Sequence, residues 1–320
     1  MKEKFINKAT IEGFLYEYEL EEKIVQKKDS TMCGKPYIAG SVKIATDDEC
    51  LNVVTVTYRF VTPLTKANKP NSTYNALKKI METGHTVLID GKENATLVKA
   101  DTAIALNDFV DSNDSEKIIS AKRCEGGFIS IVNKISDKED DRNKFEVDMV
   151  INGLRMVEAD EERNIPNDYL VVKGAIFDFK KAILPVEFSI EIPEGINYFE
   201  GLDPSTSNIT FTKIWGNIVS QERTISITTE SAFSTPVIQN YTKTAHKWLI
   251  SNAAKEPYDF GSEEVLTVED LQRMIADREV HLAEVRKRNT EYLASKNSST
   301  VSAPTTNITS APAAAGGFNF

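Results

Sequence analysis

Ile11-Glu12-Gly13-Phe14-Leu15-Tyr16-Glu17-Tyr18 is an aromatic-rich stretch of strand character, and it opens a pattern that the chain uses twice. A polar loop follows it to Tyr37-Ile38-Ala39-Gly40, and an alternating stretch then runs to Pro63. Near residue 145 the order returns: residues 145–157 with Gly153, a polar loop, residues 169–174 closing on Gly174, and alternation ending at Pro193. Self-similarity at this scale reads as one supersecondary unit used twice.

Periodicity gives the element order within each copy. Over residues 53–61, Val54, Val56, Tyr58 and Phe60 fall on one face and Thr55, Thr57 and Arg59 on the other, the period-two alternation of a half-buried strand. On that count Tyr58 and Phe60 belong to the core. The strand over 41–45 buries Val42 and Ile44 and turns Lys43 outward, with Thr46-Asp47-Asp48-Glu49 as the turn. Residues 72–84 predict a helix with Tyr74, Leu77, Ile80 and Met81 on one face and Gly84 as its stop. Strands over 95–110 and 117–132 complete the copy. The second copy predicts strands over 145–157, 171–179 and 182–192, a short helix over 196–202, then strands over 209–222 and 237–251. Trp215 and Trp248, on the last two, are assigned to the core.

Three strands, a helix and two strands describe the five-stranded Greek-key barrel called the OB-fold. A small β-sandwich shares the same alternation and remains the alternative. The expected class is therefore mainly β: tandem OB-like five-stranded barrels over 1–143 and 144–258, a C-terminal α-helix over 263–296 and a disordered tail over 297–320. Thr267 and Asp270 have capping-box spacing. Beyond them Val268, Leu271, Ile275, Leu282, Val285 and Tyr292 follow a heptad seam, with Arg278 and Asn289 at its other two positions. That helix either packs on the barrels or self-associates, with Asn289 helping to fix register. The tail is rich in Ser, Thr, Ala and Pro, yet ends in Phe318-Asn319-Phe320, whose aromatics suit a partner's pocket.

Composition narrows the function classes. Across 320 residues the net charge is −10, so attraction to a polyanion requires a local basic patch. Three scattered cysteines argue against a disulfide framework and for a reducing compartment. No apolar run approaches a membrane span, and the N-terminal residues lack a signal-peptide core, so a cytoplasmic location without membrane association is expected. The three histidines are far apart, and neither a Walker loop, a G-x-S-x-G elbow nor an H-E-x-x-H motif occurs. The sequence therefore predicts a protein that is not an enzyme and needs no cofactor or metal.

Single-stranded nucleic acid is the better ligand class, and the copies differ in the relevant way. OB barrels bind strands across the face of strands two and three and between the loops after strands one and four. In the first copy that region carries Lys23, Lys27, Lys28, Lys35, Lys43 and Arg59, followed by Lys66 and Lys69. The matching loop of the second copy is Glu158-Ala159-Asp160-Glu161-Glu162-Arg163, and its third strand turns Glu187 and Glu191 outward. Cations are needed because counterion release supplies much of the affinity. The first copy is thus the candidate binder and the second a scaffold, although ordinary solvated lysines would look the same. Stacking platforms are the second requirement. Tyr16, Tyr18 and Tyr37 are candidates beside the lysine loop, with Phe14 on the same face; a core role competes for Phe14, Tyr16 and Tyr18. Lys122, Arg123 and Phe128 on strand five add a basic and aromatic edge.

A barrel-type N-terminal region, a Pro/Ser/Ala-rich linker and a terminal Phe320 together resemble single-stranded DNA-binding proteins of bacteriophage type. The resemblance implies OB-folds that coat DNA during replication or recombination in the host cytoplasm, and a tip at Phe318 and Phe320 that recruits replication or recombination proteins. Partners would be single-stranded DNA, or RNA, with homo-oligomers formed through the 267–292 helix. The tip departs from the family in having no Asp or Glu beside it. A virion structural or assembly protein, and a host-protein adaptor acting through the tail, are the competing readings.

Overall fold

The computed structural model describes residues 4–160, 165–229 and 237–299. Among these described residues, ten strands and four α-helices follow in chain order. β1 (Asn7–Ile24), β2 (Pro36–Ala45) and β3 (Val53–Val61) lead into α1 (Ser72–Thr83) and the single turn α2 (Val87–Asp90). β4 (Leu97–Val110) and β5 (Ile118–Ile131) complete the first set. β6 (Asn143–Val157), β7 (Tyr169–Phe177), β8 (Ile183–Ile190), α3 (Pro193–Leu202), β9 (Thr210–Thr229) and β10 (Val237–Ala253) form the second, followed by α4 (Val268–Ser299).

Each set closes on itself. The neighbours run β1-β2-β3-β5-β4 and back to β1, with β3 and β5 parallel at Val56↔Cys124. The second ring is β6-β7-β8-β10-β9 and back to β6, with β8 and β10 parallel at Leu249↔Ser189. Both are OB-like five-stranded barrels with a helix inserted between the third and fourth strands, so the sandwich alternative does not hold. Inward residues are those that alternation picks: Val42, Ile44, Val54, Val56 and Tyr58 are buried in the first barrel, and Val172, Ile176, Val186, Phe188 and Trp248 in the second. Asn71 caps α1, accepting from Thr73 N at 3.1 Å, and the helix buries Tyr74, Leu77 and Ile80 against the first core.

The glycines that mark the repeat have a shared cause. A Cβ on Gly40 would lie 1.8 Å from the Glu19 carbonyl oxygen, and its φ of +138° is open to glycine. A Cβ on Gly174 would meet the Val150 oxygen at 1.9 Å. At both points the second strand bends across the first too closely for a side chain.

The barrels are fused through β1, whose start pairs antiparallel with β6 from Asn7↔Val147 to Ile11↔Asn143. Asn7 reinforces the join, donating from Nδ2 to the carbonyls of Ile104 and Phe177 at 2.9 and 3.0 Å. Asp148, fully buried, accepts from Ile6 N and Tyr258 Oη, each at 2.8 Å. Both barrels fall in one compact unit, Met1–Asn107 with Ser120–Glu279.

Thr267 caps α4, its Oγ1 accepting from Asp270 N at 3.1 Å. The first turns of α4 pack Leu271 and Met274 with Leu266 against Phe5, Phe177 and Phe211. The second unit joins Asp108–Ile119 to the chain from Val280. Within it His281 Nε2 lies 3.2 Å from the Asp108 carboxylate, and Arg286 donates to the Glu116 carbonyl at 3.5 Å. The seam residues Ile275 and Tyr292 are exposed. The tail from residue 300, with Phe318 and Phe320, lies outside the described residues.

Candidate nucleic-acid interface

Two bulges decide what the first barrel presents. On β1, Leu15 pairs with Ile44 and Glu17 with Lys43, so Tyr16 is an extra residue without a cross-strand partner. The alternation slips there. Beyond the bulge Tyr18 turns inward, packing on the core with its hydroxyl 3.4 Å from the Met81 carbonyl oxygen. Glu17, Glu19, Glu21 and Lys23 take the outward face. Phe14, before the bulge, is half-buried with the Lys92 ammonium 5.0 Å from its ring centre.

On β3 the slip falls between Gly40↔Tyr58 and Ile38↔Val61, giving β3 one residue more than β2. Tyr58 stays buried, and burial pushes its hydroxyl pKa well up. Arg59 and Phe60 then both face out. Phe60 is therefore not a core residue: it is 51% exposed, and its ring meets Tyr37 at 4.5 Å between centroids. The register places Tyr37 opposite Lys23, next to the lysine loop.

A third feature lies on β5. Gly126 and Gly127 both have positive φ, and a Cβ on Gly127 would meet the Asp101 oxygen at 1.9 Å. This kink puts Phe128 on the surface, 68% exposed. Phe60, Phe128 and Leu64 line one groove of about 480 Å³, with Arg59 and Lys66 at its polar margin. Aromatic faces beside cations are what a single strand requires.

The cations divide into two groups. Lys43 donates to Glu17 at 2.6 Å, and that hydrogen bond raises its pKa despite some desolvation. Lys23 is likewise raised by its hydrogen bond to Glu21, at 2.8 Å. Glu125 sits between two guanidiniums, 2.8 Å from Arg59 and 2.7 Å from Arg123. Lys27, Lys28, Lys66 and Lys69 make no ion pair among the described residues, and Lys35 approaches only Met32 Sδ, at 3.9 Å. The glutamates Glu17, Glu21 and Glu125 were missed in the sequence because cations were counted without the register that pairs them.

Lys122 does not join this surface. Its ammonium donates to the Glu187 carbonyl in the second barrel and lies 4.9 Å from the Phe188 ring centre and 5.7 Å from that of Trp248. Desolvation there lowers its pKa to about 8. Trp215 also departs from its core assignment: it is half-buried on the outward face of β9, with Lys213 Nζ 5.3 Å from its ring centre. Trp248 is in the core. On the second barrel Glu187 faces Lys173 and Arg155, each at 3.6 Å, and Glu191 pairs with Lys247.

The family model described as YorF matches residues 6–288. Among solved structures, a deletion mutant of the single-stranded DNA binding protein from Thermus aquaticus is similar at 9% identity and a TM-score of 0.45, over 82% of this chain and 99% of that one. No curated protein matches the chain.

Proposed function

The chain belongs to the YorF family, and we propose that it binds single-stranded DNA without catalysis, coating exposed strands during replication or recombination. One observation carries the reading: Phe60 and Phe128, both exposed, line one groove of an OB-like barrel together with Arg59 and Lys66. Holding aromatic rings in water has no folding benefit, whereas each stacked base is worth about 1–3 kcal/mol by alanine substitution. Tyr37, tilted against Phe60, extends the platform toward Lys27, Lys28 and Lys35, where phosphates are drawn by charge. The paired cations Lys43, Arg59 and Arg123 exchange a carboxylate for a phosphate when the strand arrives, so part of their attraction is offset.

The test is fluorescence anisotropy of labelled oligo-dT titrated with the full chain over a range of salt. The reading expects binding that weakens steeply with salt, and much weaker binding to duplex of the same length. A folded chain that leaves the oligonucleotide free at low salt removes it and favours a structural or adaptor role.

A further inference from the structure

The junction of the barrels carries a second cleft, of about 530 Å³, on the outward face of β1, β6 and β9. We propose that this cleft is a second contact for the same single strand, with a base against Trp215 and phosphates on Lys8 and Lys144. The inference rests on the DNA-binding reading and extends it to the barrel that the acidic loop and Glu187 mark as a scaffold.

The geometry follows from the register. Lys144 lies opposite Thr10 of β1 and Asn217 of β9, and Trp215 lies opposite Glu146, one outward position along β6. The fused sheet therefore sets Lys8, Lys144, Lys213 and Trp215 around one opening. Trp215 puts a large indole on an outward face; it is less exposed than Phe60 and Phe128 in the first groove, and Lys213 lies over its ring. Each lysine is held by a carboxylate: Lys8 by Asp101 at 3.4 Å, Lys144 by Asp141 at 2.5 Å and Lys213 by Glu146 at 3.0 Å. The Lys8 and Lys144 pairs are more than half exposed on the lysine side. Such surface pairs contribute little and are readily exchanged for a phosphate. Lys213 lies over the indole, 5.3 Å from its ring centre, so a stacking base takes its place on that face and leaves the ammonium free to swing to the adjoining phosphate.

The two tryptophans make the test direct, because Trp248 is buried and Trp215 is not. Two barrels call for an oligo-dT of about 30 nucleotides. Tryptophan emission and the anisotropy of a labelled oligonucleotide are read on the full chain. The proposal expects quenching that tracks binding and disappears in Trp215→Phe. In the Lys8→Gln, Lys144→Gln variant it expects several-fold weaker binding and a salt slope lower by about 1.4. Binding without quenching, or quenching that survives in Trp215→Phe, overturns the junction contact and leaves the groove reading intact. Quenching with Trp215 but no loss of affinity in Phe60→Ala, Phe128→Ala overturns the groove and keeps the junction. No anisotropy change with wild type removes both.

Discussion

The two barrels share ring order, parallel closure and a glycine at the same crossing, yet they present different surfaces. In the first, bulges on β1 and β3 and the Gly126-Gly127 kink of β5 push Tyr16, Phe60 and Phe128 off the inward phase. In the second, the corresponding face of β7 and β8 keeps regular pairing over Leu170↔Ile190 to Phe177↔Ile183 and shows Glu187 among Lys173 and Arg155. A regular ladder puts alternate residues inside. On β3 it is the bulge that turns Phe60 to solvent. β6 and β10 of the second barrel also carry register shifts, so the two barrels differ in where the irregularities fall: β3 slips against β2 in the first barrel, whereas β7 and β8 stay in register in the second.

The structural half of that comparison rests on the shared glycine crossing. Gly40→Ala and Gly174→Ala should each cost about 3 kcal/mol or prevent folding, since both would drive a Cβ into a neighbouring carbonyl. Gly153→Ala, with nothing within 4 Å, should stay within about 1 kcal/mol of wild type. Chemical denaturation of the three variants checks this.

The functional half turns on the exposed rings. Phe60→Ala and Phe128→Ala should each weaken oligo-dT binding by about 1–3 kcal/mol, while thermal stability stays near wild type because neither ring is in the core. Lys173→Gln on the second barrel should leave affinity within about two-fold, as expected of a surface ion pair. Equal losses on both barrels would erase the distinction.

Lys122 belongs to neither surface and reports on the contact between the barrels. Its folded pKa of about 8 lies below the usual lysine value, so the unfolded chain binds more protons between pH 8 and 10.5. Stability contributed at this position therefore rises with pH across that window, on the order of 3 kcal/mol at most. Unfolding curves at pH 8 and 10 should show wild type gaining relative to Lys122→Met; parallel behaviour would place the ammonium in water.

The smallest effects sharpen the electrostatics. Lys27→Gln, Lys28→Gln should lower the salt slope by about 1.4 and act alike on every sequence. Glu125→Gln, which releases Arg59 and Arg123, should tighten binding by a few-fold, read in the same titration.

Period-two alternation made the strands legible, because burial on one face imposes it; β3 has the limits expected from Val53 and Val61 alone. The Tyr37–Gly40 and Tyr169–Gly174 echo made the repeat legible, because a crowded crossing demands glycine twice. Phe60 was misread because alternation counted across a bulge inverts the face, and only the pairing with β2 reveals the slip. Trp215 was misread because hydrophobicity alone cannot tell the two faces of β9 apart. The partners of Lys43, Arg59 and Lys122 lie 26, 66 and 65 residues away in sequence, so these contacts are invisible to local reading.

Ultraviolet cross-linking of oligo-dT to the full chain, followed by mass spectrometry of the peptides, locates a bound strand on the barrels. Strand binding in the groove of Phe60 and Phe128 predicts adducts within residues 36–66 and 123–132, which carry Tyr37, Phe60 and Phe128. Adducts confined to β7 and β8, with those first-barrel peptides unmodified, would contradict it.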